Sequence, residues 1–222
     1  MDAGYVAVAC GRFGSVALDR DGRVVAWGSG EHDELTDAPM DAGYVALALG
    51  HYHCVGLRAD GRVVVRGDSS FVQCDEAPMD AGYVSIACGF VHSCALGRDG
   101  RVVTWGGNTR LQRHGAPTDA GYRSLASGLA HSCALHRDGR VVTWGCNDNR
   151  QRDGAPTDAG YVAIACKKSH SAALHEDGRV VVWGSNSSHQ RDRAPTDAGY
   201  VAIKCGYTHT VALHADGRVV TW

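Results

Sequence analysis

An eight-residue block, Asp99-Gly100-Arg101-Val102-Val103-Thr104-Trp105-Gly106, returns along the whole chain, with counterparts starting at Asp21, Asp60, Asp138, Asp177 and Asp216. The spacing is 39 residues each time. A fixed period of this size marks a repeat architecture, in which each unit buries its apolar surface against the next. The block reads as a tight turn feeding a strand. Asp-Gly favours a two-residue hairpin, because both central residues tolerate positive φ. Val-Val-Thr-Trp is β-branched and aromatic, as a packed strand prefers. The units are 1–39, 40–78, 79–117, 118–156, 157–195 and 196–222, without insertion or deletion. No linker interrupts them, so one domain over 1–222 is expected. The sixth unit stops after 27 residues. That predicts an incomplete last unit whose third-strand edge, at 218–222, can pair with another chain and so self-associate.

The fourth unit shows the pattern. Residues 122–127 and 131–135 alternate as short strands around a turn at Gly128-Leu129-Ala130, and Asp138-Gly139 turns into a third strand over 140–144. A short fourth strand is expected near Arg150–Arg152. No helical period or cap appears. In the fifth unit Val162, Ile164 and Cys166 fall on one strand face, and Tyr161, Ala163 and Ala165 on the other. Neither face is polar. Strands apolar on both faces belong to sheets packed between sheets, as in radially stacked blades and unlike a two-layer sandwich. The expected fold is all-β: a β-propeller of six blades, each of three to four antiparallel strands, the last incomplete.

The totals exclude several classes. Net charge is −2, so there is no basic field for nucleic acid and no polybasic membrane tail. No run approaches the roughly 18 apolar residues of a membrane helix, and the N-terminus lacks the features of a signal peptide. Nine cysteines, an odd number without Cys-x-x-Cys, read as reduced thiols of an intracellular protein, cytoplasmic or nuclear.

The stretch from Tyr161 to Gly184 resembles the repeat of the regulator of chromosome condensation family: a small-residue strand, Gly-x-x-His-Ser-x-Ala-Leu, Asp-Gly, then Val-x-x-Trp-Gly. Asn147 to Arg152 and Asn186 to Arg191 resemble an eroded form of that family's Asn-x-x-Gly-Gln-Leu-Gly. The resemblance covers all six units and implies a propeller of four-stranded blades. It does not imply one activity. Relatives include a nucleotide-exchange factor on chromatin, a plant ultraviolet-B photoreceptor, secreted bacterial inhibitors of β-lactamase, and modules of giant HECT-type ubiquitin ligases. The exchange factor works through insertions outside the repeat frame, which are absent here. The photoreceptor's Gly-Trp-Arg-His-Thr segments are absent too; Trp27, Trp105, Trp144, Trp183 and Trp222 share one repeat position, where the second unit has Arg66, and read as structural.

His53, His92, His131, His170 and His209 also share one position. Each is expected to hydrogen-bond backbone between blades, with no metal and no cofactor. Strand neighbours such as His53 and Cys54 point to opposite faces and cannot share an ion. Cys10, Cys88, Cys166 and Cys205 exchange with Leu49 and Ser127 at one position, as buried small hydrophobes do. No nucleophile–base set breaks the repeat symmetry, and Asp-Gly-Arg is a turn rather than a phosphate loop, so no enzyme activity and no catalytic residue are expected. The units differ in two zones: the turn after the first strand, and the stretches 29–37, 68–76, 107–114, 146–153 and 185–193. In an up-down meander both fall at one end of each blade. That end carries Phe13, Tyr52, Phe90 and Tyr207, of the type interface hot spots use. It is acidic in the first two units (Glu31, Asp33, Glu34, Asp37, Asp68, Asp75, Glu76) and basic in the next three (Arg110, Arg113, Arg150, Arg152, Arg191, Arg193). The expected function is a non-catalytic protein-interaction scaffold with a protein partner, bound through Phe13, Tyr52, Phe90, Tyr207, Arg110, Arg150, Arg152 and Arg191. A nucleotide-exchange or chromatin regulator, an enzyme inhibitor, and the recognition part of a ubiquitin ligase are the alternatives.

Overall fold

A computed structural model describes residues 4–12, 14–28 and 42–222. Among them the chain is all β, in six three-stranded antiparallel sheets, each in sequential order. The first holds β1 (Tyr5–Cys10), β2 (Gly14–Asp19) and β3 (Val24–Gly28); the second β4 (Tyr44–Leu49), β5 (His53–Arg58) and β6 (Val63–Gly67); the third β7 (Tyr83–Cys88), β8 (His92–Gly97) and β9 (Val102–Gly106). The fourth holds β10 (Tyr122–Ser127), β11 (His131–His136) and β12 (Val141–Gly145); the fifth β13 (Tyr161–Lys167), β14 (His170–His175) and β15 (Val180–Gly184); the sixth β16 (Tyr200–Cys205), β17 (Thr210–His214) and β18 (Val219–Thr221). These are propeller-type blades. They group into two compact units, Met1–Asn108 and Thr109–Trp222.

The middle strands of blades two to five are buried on both faces, as the apolar-on-both-sides pattern requires. Cys54, Val55 and Leu57 of β5, and Cys133, Ala134 and Leu135 of β11, are at most 2% exposed. In the first unit Val55, Leu57, Val65, Tyr83, Ala95 and Trp105 form one cluster between neighbouring blades. In the second, Cys133, Leu135, Val141, Tyr161, Ala173 and Trp183 do the same. Burial of this kind contributes about 25 cal/mol per Å² of apolar surface removed from water.

Two local expectations are corrected. The first strand of every blade carries a bulge after its opening Tyr: Tyr161 pairs with His175, whereas the next paired residue is Ala163, with Leu174. Val162 is left out of the register and is exposed, so it does not share a buried face with Ile164 and Cys166. Arg150–Arg152 forms no fourth strand; residues 148–154 are turns, because the loop is folded back on side-chain hydrogen bonds described below.

Successive blades within each unit are tied at the Asp-Gly end. Gly139 O accepts the Tyr161 N–H at 3.1 Å, and Gly61 O accepts the Tyr83 N–H at 3.0 Å. Gly139 sits at φ 86°, and a Cβ there would lie 2.4 Å from the Gly160 nitrogen. Only glycine fits both the left-handed turn and the close approach of the next blade.

Candidate functional site

Three layers of a blade are built from repeat positions: a buried histidine layer, the Asp-Gly end, and the loop end where the sequence varies. In the histidine layer, three rings cross to the next blade of their own unit. His53 Nε2 lies 2.7 Å from Ser93 Oγ, His131 Nε2 2.7 Å from Ser171 Oγ, and His170 Nε2 3.2 Å from Thr210 Oγ1. The inter-blade expectation for these histidines holds in that form, but the partner is a side-chain hydroxyl and not backbone. The glycine three residues earlier makes room for the ring: a Cβ on Gly128 would lie 2.2 Å from His131 Cε1, and one on Gly50 2.2 Å from His53 Cε1. Burial pulls the His53 and His170 pKa values down to about 4, so both rings are neutral at pH 7. His209, at the same repeat position, is exposed.

The hydroxyls carry the network on to sulfur. Ser171 Oγ donates to Cys166 Sγ at 3.2 Å, and the Cys166 thiol donates to Cys133 Sγ at 3.0 Å. His131, Cys133 and Cys166 thereby bring three metal-capable atoms within 4.8 Å of one another. Spacing along one strand could not show this, since Cys166 comes from the following blade. Burial pushes the Cys166 thiol well above its ordinary range and Cys54 and Cys205 up to about 12. Protonated buried thiols are poor nucleophiles; the cluster acts here as a hydrogen-bonded contact between blades. Cys10 is exposed and Cys88, Cys166 and Cys205 are half-buried, so this position is less enclosed than its exchange with Leu suggests.

At the loop end the two variable zones meet. Cys146 N–H donates to Ala130 O at 2.8 Å, Asp68 N–H to Tyr52 O at 2.9 Å, and Ser185 N–H to Ser169 O at 2.8 Å. In the first unit this gathers an aromatic cluster: the ring of His51 lies 3.9 Å from that of Phe90 and 4.8 Å from that of Tyr52, and Tyr52 meets Phe90 edge-on at 5.3 Å. In the second unit the Lys168 ammonium sits 4.3 Å over the Tyr207 ring, which is 57% exposed. Arg110, Arg150 and Arg191 are exposed and Arg152 is half-buried. Phe13, with Glu31, Asp33, Glu34 and Asp37, lies outside the described residues.

The residues that shape this end are glutamines, of which the sequence marks Gln151 and Gln190 only as part of the repeat motif and not as buried pegs. Gln73, Gln112, Gln151 and Gln190 are at most 2% exposed. Their Oε1 atoms accept the backbone N–H two residues before, of Phe71, Arg110, Asn149 and Ser188, at 2.7–2.9 Å. Their backbone matters as well: Trp105 Nε1–H donates to Gln73 O and Trp183 Nε1–H to Gln151 O, both at 2.9 Å. Asn147 Oδ1 accepts the Arg152 N–H at 2.9 Å, and Asn186 Oδ1 the Arg191 N–H at 3.0 Å. On this frame one repeat position takes positive φ: Val72 at 56°, Leu111 at 61°, Arg150 at 59° and His189 at 61°. All four are exposed. A non-glycine residue held there is strained, and such residues cluster at functional sites. The recurring Gln at 39-residue spacing was the available signal.

The regulator of chromosome condensation (RCC1) repeat model matches residues 5–33, 83–112, 122–151, 161–190 and 200–222. Among solved structures, human WBSCR16 is 18% identical at a TM-score of 0.80, over 100% of this chain and 77% of that one. The ectodomain of the Arabidopsis thaliana receptor kinase ACR4 is 22% identical at 0.78, over 98% and 79%. Prp20p of Saccharomyces cerevisiae, whose structure was reported with its binding to Gsp1p and histones, is 20% identical at 0.77, over 98% and 71%. At these identities the likeness is one of fold. A search of curated proteins finds no match.

Proposed function

We propose that this chain, which belongs to the regulator of chromosome condensation (RCC1) repeat family, is a non-catalytic scaffold that binds a protein partner through the loop ends of its blades. The observation that carries this reading is the fixed frame with one variable display position: buried Gln73, Gln112, Gln151 and Gln190 hold the loop, while Val72, Leu111, Arg150 and His189 project from it in the left-handed region. A loop that only closed a blade would not hold a non-glycine residue in that conformation four times over. The aromatic cluster of Tyr52 and Phe90 supports an anchor in the first unit. Arg110, Arg150, Arg152 and Arg191 support an acidic complement to the second. Tyr207, under Lys168, and Phe13 complete the proposed contact set. The six units acting as one domain over 1–222 belongs to the same proposal. So does an intracellular setting, which nine cysteines without a disulfide support.

The test is a comparative capture from lysate. Tyr52→Ala with Phe90→Ala, and separately Arg150→Glu with Arg152→Glu and Arg191→Glu, are expected to remove the same partner by about tenfold or more, as hot-spot truncation does. Partners retained unchanged by both variants would overturn the reading.

A further inference from the structure

At the Asp-Gly end, blades four, five and six each hold a histidine ring in the same setting. His136, His175 and His214 stand opposite Tyr122, Tyr161 and Tyr200 in the strand register. Each ring meets its tyrosine edge-on at 5.3 Å. Nδ1 lies 2.7–2.9 Å from a carboxylate oxygen of Asp138, Asp177 or Asp216. Nε2 lies 3.1–3.2 Å from the carbonyl oxygen of Ala120, Ala159 or Ala198. Each ring nitrogen thus faces an oxygen, and Nδ1 also lies 3.3 Å from the backbone nitrogen of Asp138, Asp177 or Asp216. The rings cover a glycine: a Cβ on Gly121, Gly160 or Gly199 would lie 2.3–2.5 Å from Nε2.

Blade three has the same residue types around this position without the ring, and there Asp99 Oδ1 lies 2.6 Å from where a Cβ on Gly97 would stand. Gly97 stands opposite Tyr83, with Asp99 and Ala81 at the positions of Asp138 and Ala120. A Cβ on Gly82, the counterpart of Gly121, would meet nothing within 4 Å. Asp99 Oδ1 accepts the Arg101 N–H at 3.0 Å, as Asp138 Oδ1 accepts that of Arg140. The Tyr83 hydroxyl donates to Asp80 at 2.8 Å, as Tyr122 does to Asp119. The space is a cleft of about 390 Å³ lined by Asp80, Ala81, Tyr83, Gly97, Asp99 and Arg101, among others. Blade two differs: Arg58 fills this position, its guanidinium 5.0 Å over the Tyr44 ring.

We infer that blade three carries a vacant imidazole socket, which takes the histidine side chain of a partner polypeptide. The three filled sockets define the ligand chemistry: a planar ring with a nitrogen at each of two opposed polar positions, edge-on to Tyr83, between the Asp99 turn and the Ala81 carbonyl. Gly97 provides no Cβ, so the ring comes from elsewhere, and the cleft has room for the backbone that carries it. The site lies at the opposite end of the strands from the loops proposed above and does not rest on that reading.

The full chain is titrated with N-acetyl-histidine methylamide, with its alanine counterpart, and with free imidazole, reading the amide resonances of Gly82, Tyr83 and Gly97. The histidine compound is expected to shift these signals and to bind about tenfold or more tighter than the alanine one, the difference two hydrogen bonds supply. Gly97→His supplies the ring from within, with the Asp99 carboxylate moving aside because its Oδ1 lies 2.6 Å from where the new Cβ would stand, and is expected to abolish the shifts. Asp99→Asn keeps the turn acceptor and is expected to weaken binding about tenfold. The inference is overturned if the histidine compound shifts none of these amides, if binding survives in both Gly97→His and Asp99→Asn, or if free imidazole binds while the histidine compound does not.

Discussion

At the Asp-Gly end of a blade, the turn residues are almost unchanged from unit to unit, and each is needed for itself. Gly139 combines φ 86° with a backbone atom of the next blade 2.4 Å from where its Cβ would stand; Asp138 Oδ1 accepts the Arg140 N–H at 3.0 Å. At the loop end the residues change freely while the backbone does not. There the conformation is delegated to one buried glutamine and, in blades four and five, to an asparagine. The residue just before each glutamine differs in charge and size from blade to blade: Val72, Leu111, Arg150 and His189. Constancy of shape therefore has two sources in one blade: residues that are themselves constrained, and residues that are held by a constrained neighbour. Only the second kind can diversify without cost to the fold.

The largest expected effect tests the anchor of the loop end. Trp183 is 2% exposed and its indole N–H holds Gln151 O. Trp183→Ala is expected to cost about 3–5 kcal/mol in urea denaturation, whereas Trp27, 51% exposed, is expected to cost under about 1 kcal/mol. Next comes acid. His53 and His170 have folded pKa values near 4 against an ordinary 6.5. Above pH 6.5 both rings are neutral folded and unfolded, and contribute nothing to the pH dependence. Below it the unfolded chain takes up protons first, so stability falls until about pH 4, by about 3 kcal/mol for each ring. The lowered carboxylates act in a separate window: Asp216, at about 2, withdraws stability only below its ordinary value of 3.8. His53→Gln with His170→Gln is expected to flatten the fall between pH 6.5 and 4.5 in urea midpoints; a fall of unchanged depth contradicts the buried neutral rings.

Smaller effects separate pins from passengers. Gln151→Leu strands the Asn149 N–H and is expected to cost about 1–3 kcal/mol, against under about 0.5 kcal/mol for Asn149→Ala. An equal cost for the two would break the division drawn above. Arg150→Gly relieves the left-handed strain and is expected to gain about 1 kcal/mol in melting experiments, while Arg152→Gly, which has no positive φ to relieve, gains none.

The fold was legible because its signals are local. The strand limits read for the fourth unit differ from β10, β11 and β12 by at most one residue, since Asp138-Gly139 and Gly128 punctuate them. What was not legible depends on pairs about 40 residues apart. The histidines were expected to meet backbone, but Ser93, Ser171 and Thr210 come from the next blade, and a periodic sequence does not say which neighbouring group faces which. The meeting of Cys133 with Cys166 escaped for the same reason. The two zones of variation did mark the loop end, and Tyr52 and Phe90 do gather there. The glutamines were not legible as pegs because a polar residue in a polar stretch reads as solvated; only burial shows it as a peg. Val162 was misassigned to a buried face because a bulge resets the alternation by one residue, which a strict period of two cannot register.

The bonds between blades have a consequence in time. His131 reaches Ser171, 40 residues ahead; Trp183 reaches Gln151, 32 residues behind; Tyr161 reaches Gly139. Each of these ties joins a blade to the one made just before or after it. A chain wired in this way closes only short loops as it folds. A blade leaving the ribosome finds its docking surface already built by its predecessor, and has no need to wait for the far end of the chain. Within each unit order would spread along the polypeptide in the direction of its synthesis, each blade serving as the template for the one that follows it there.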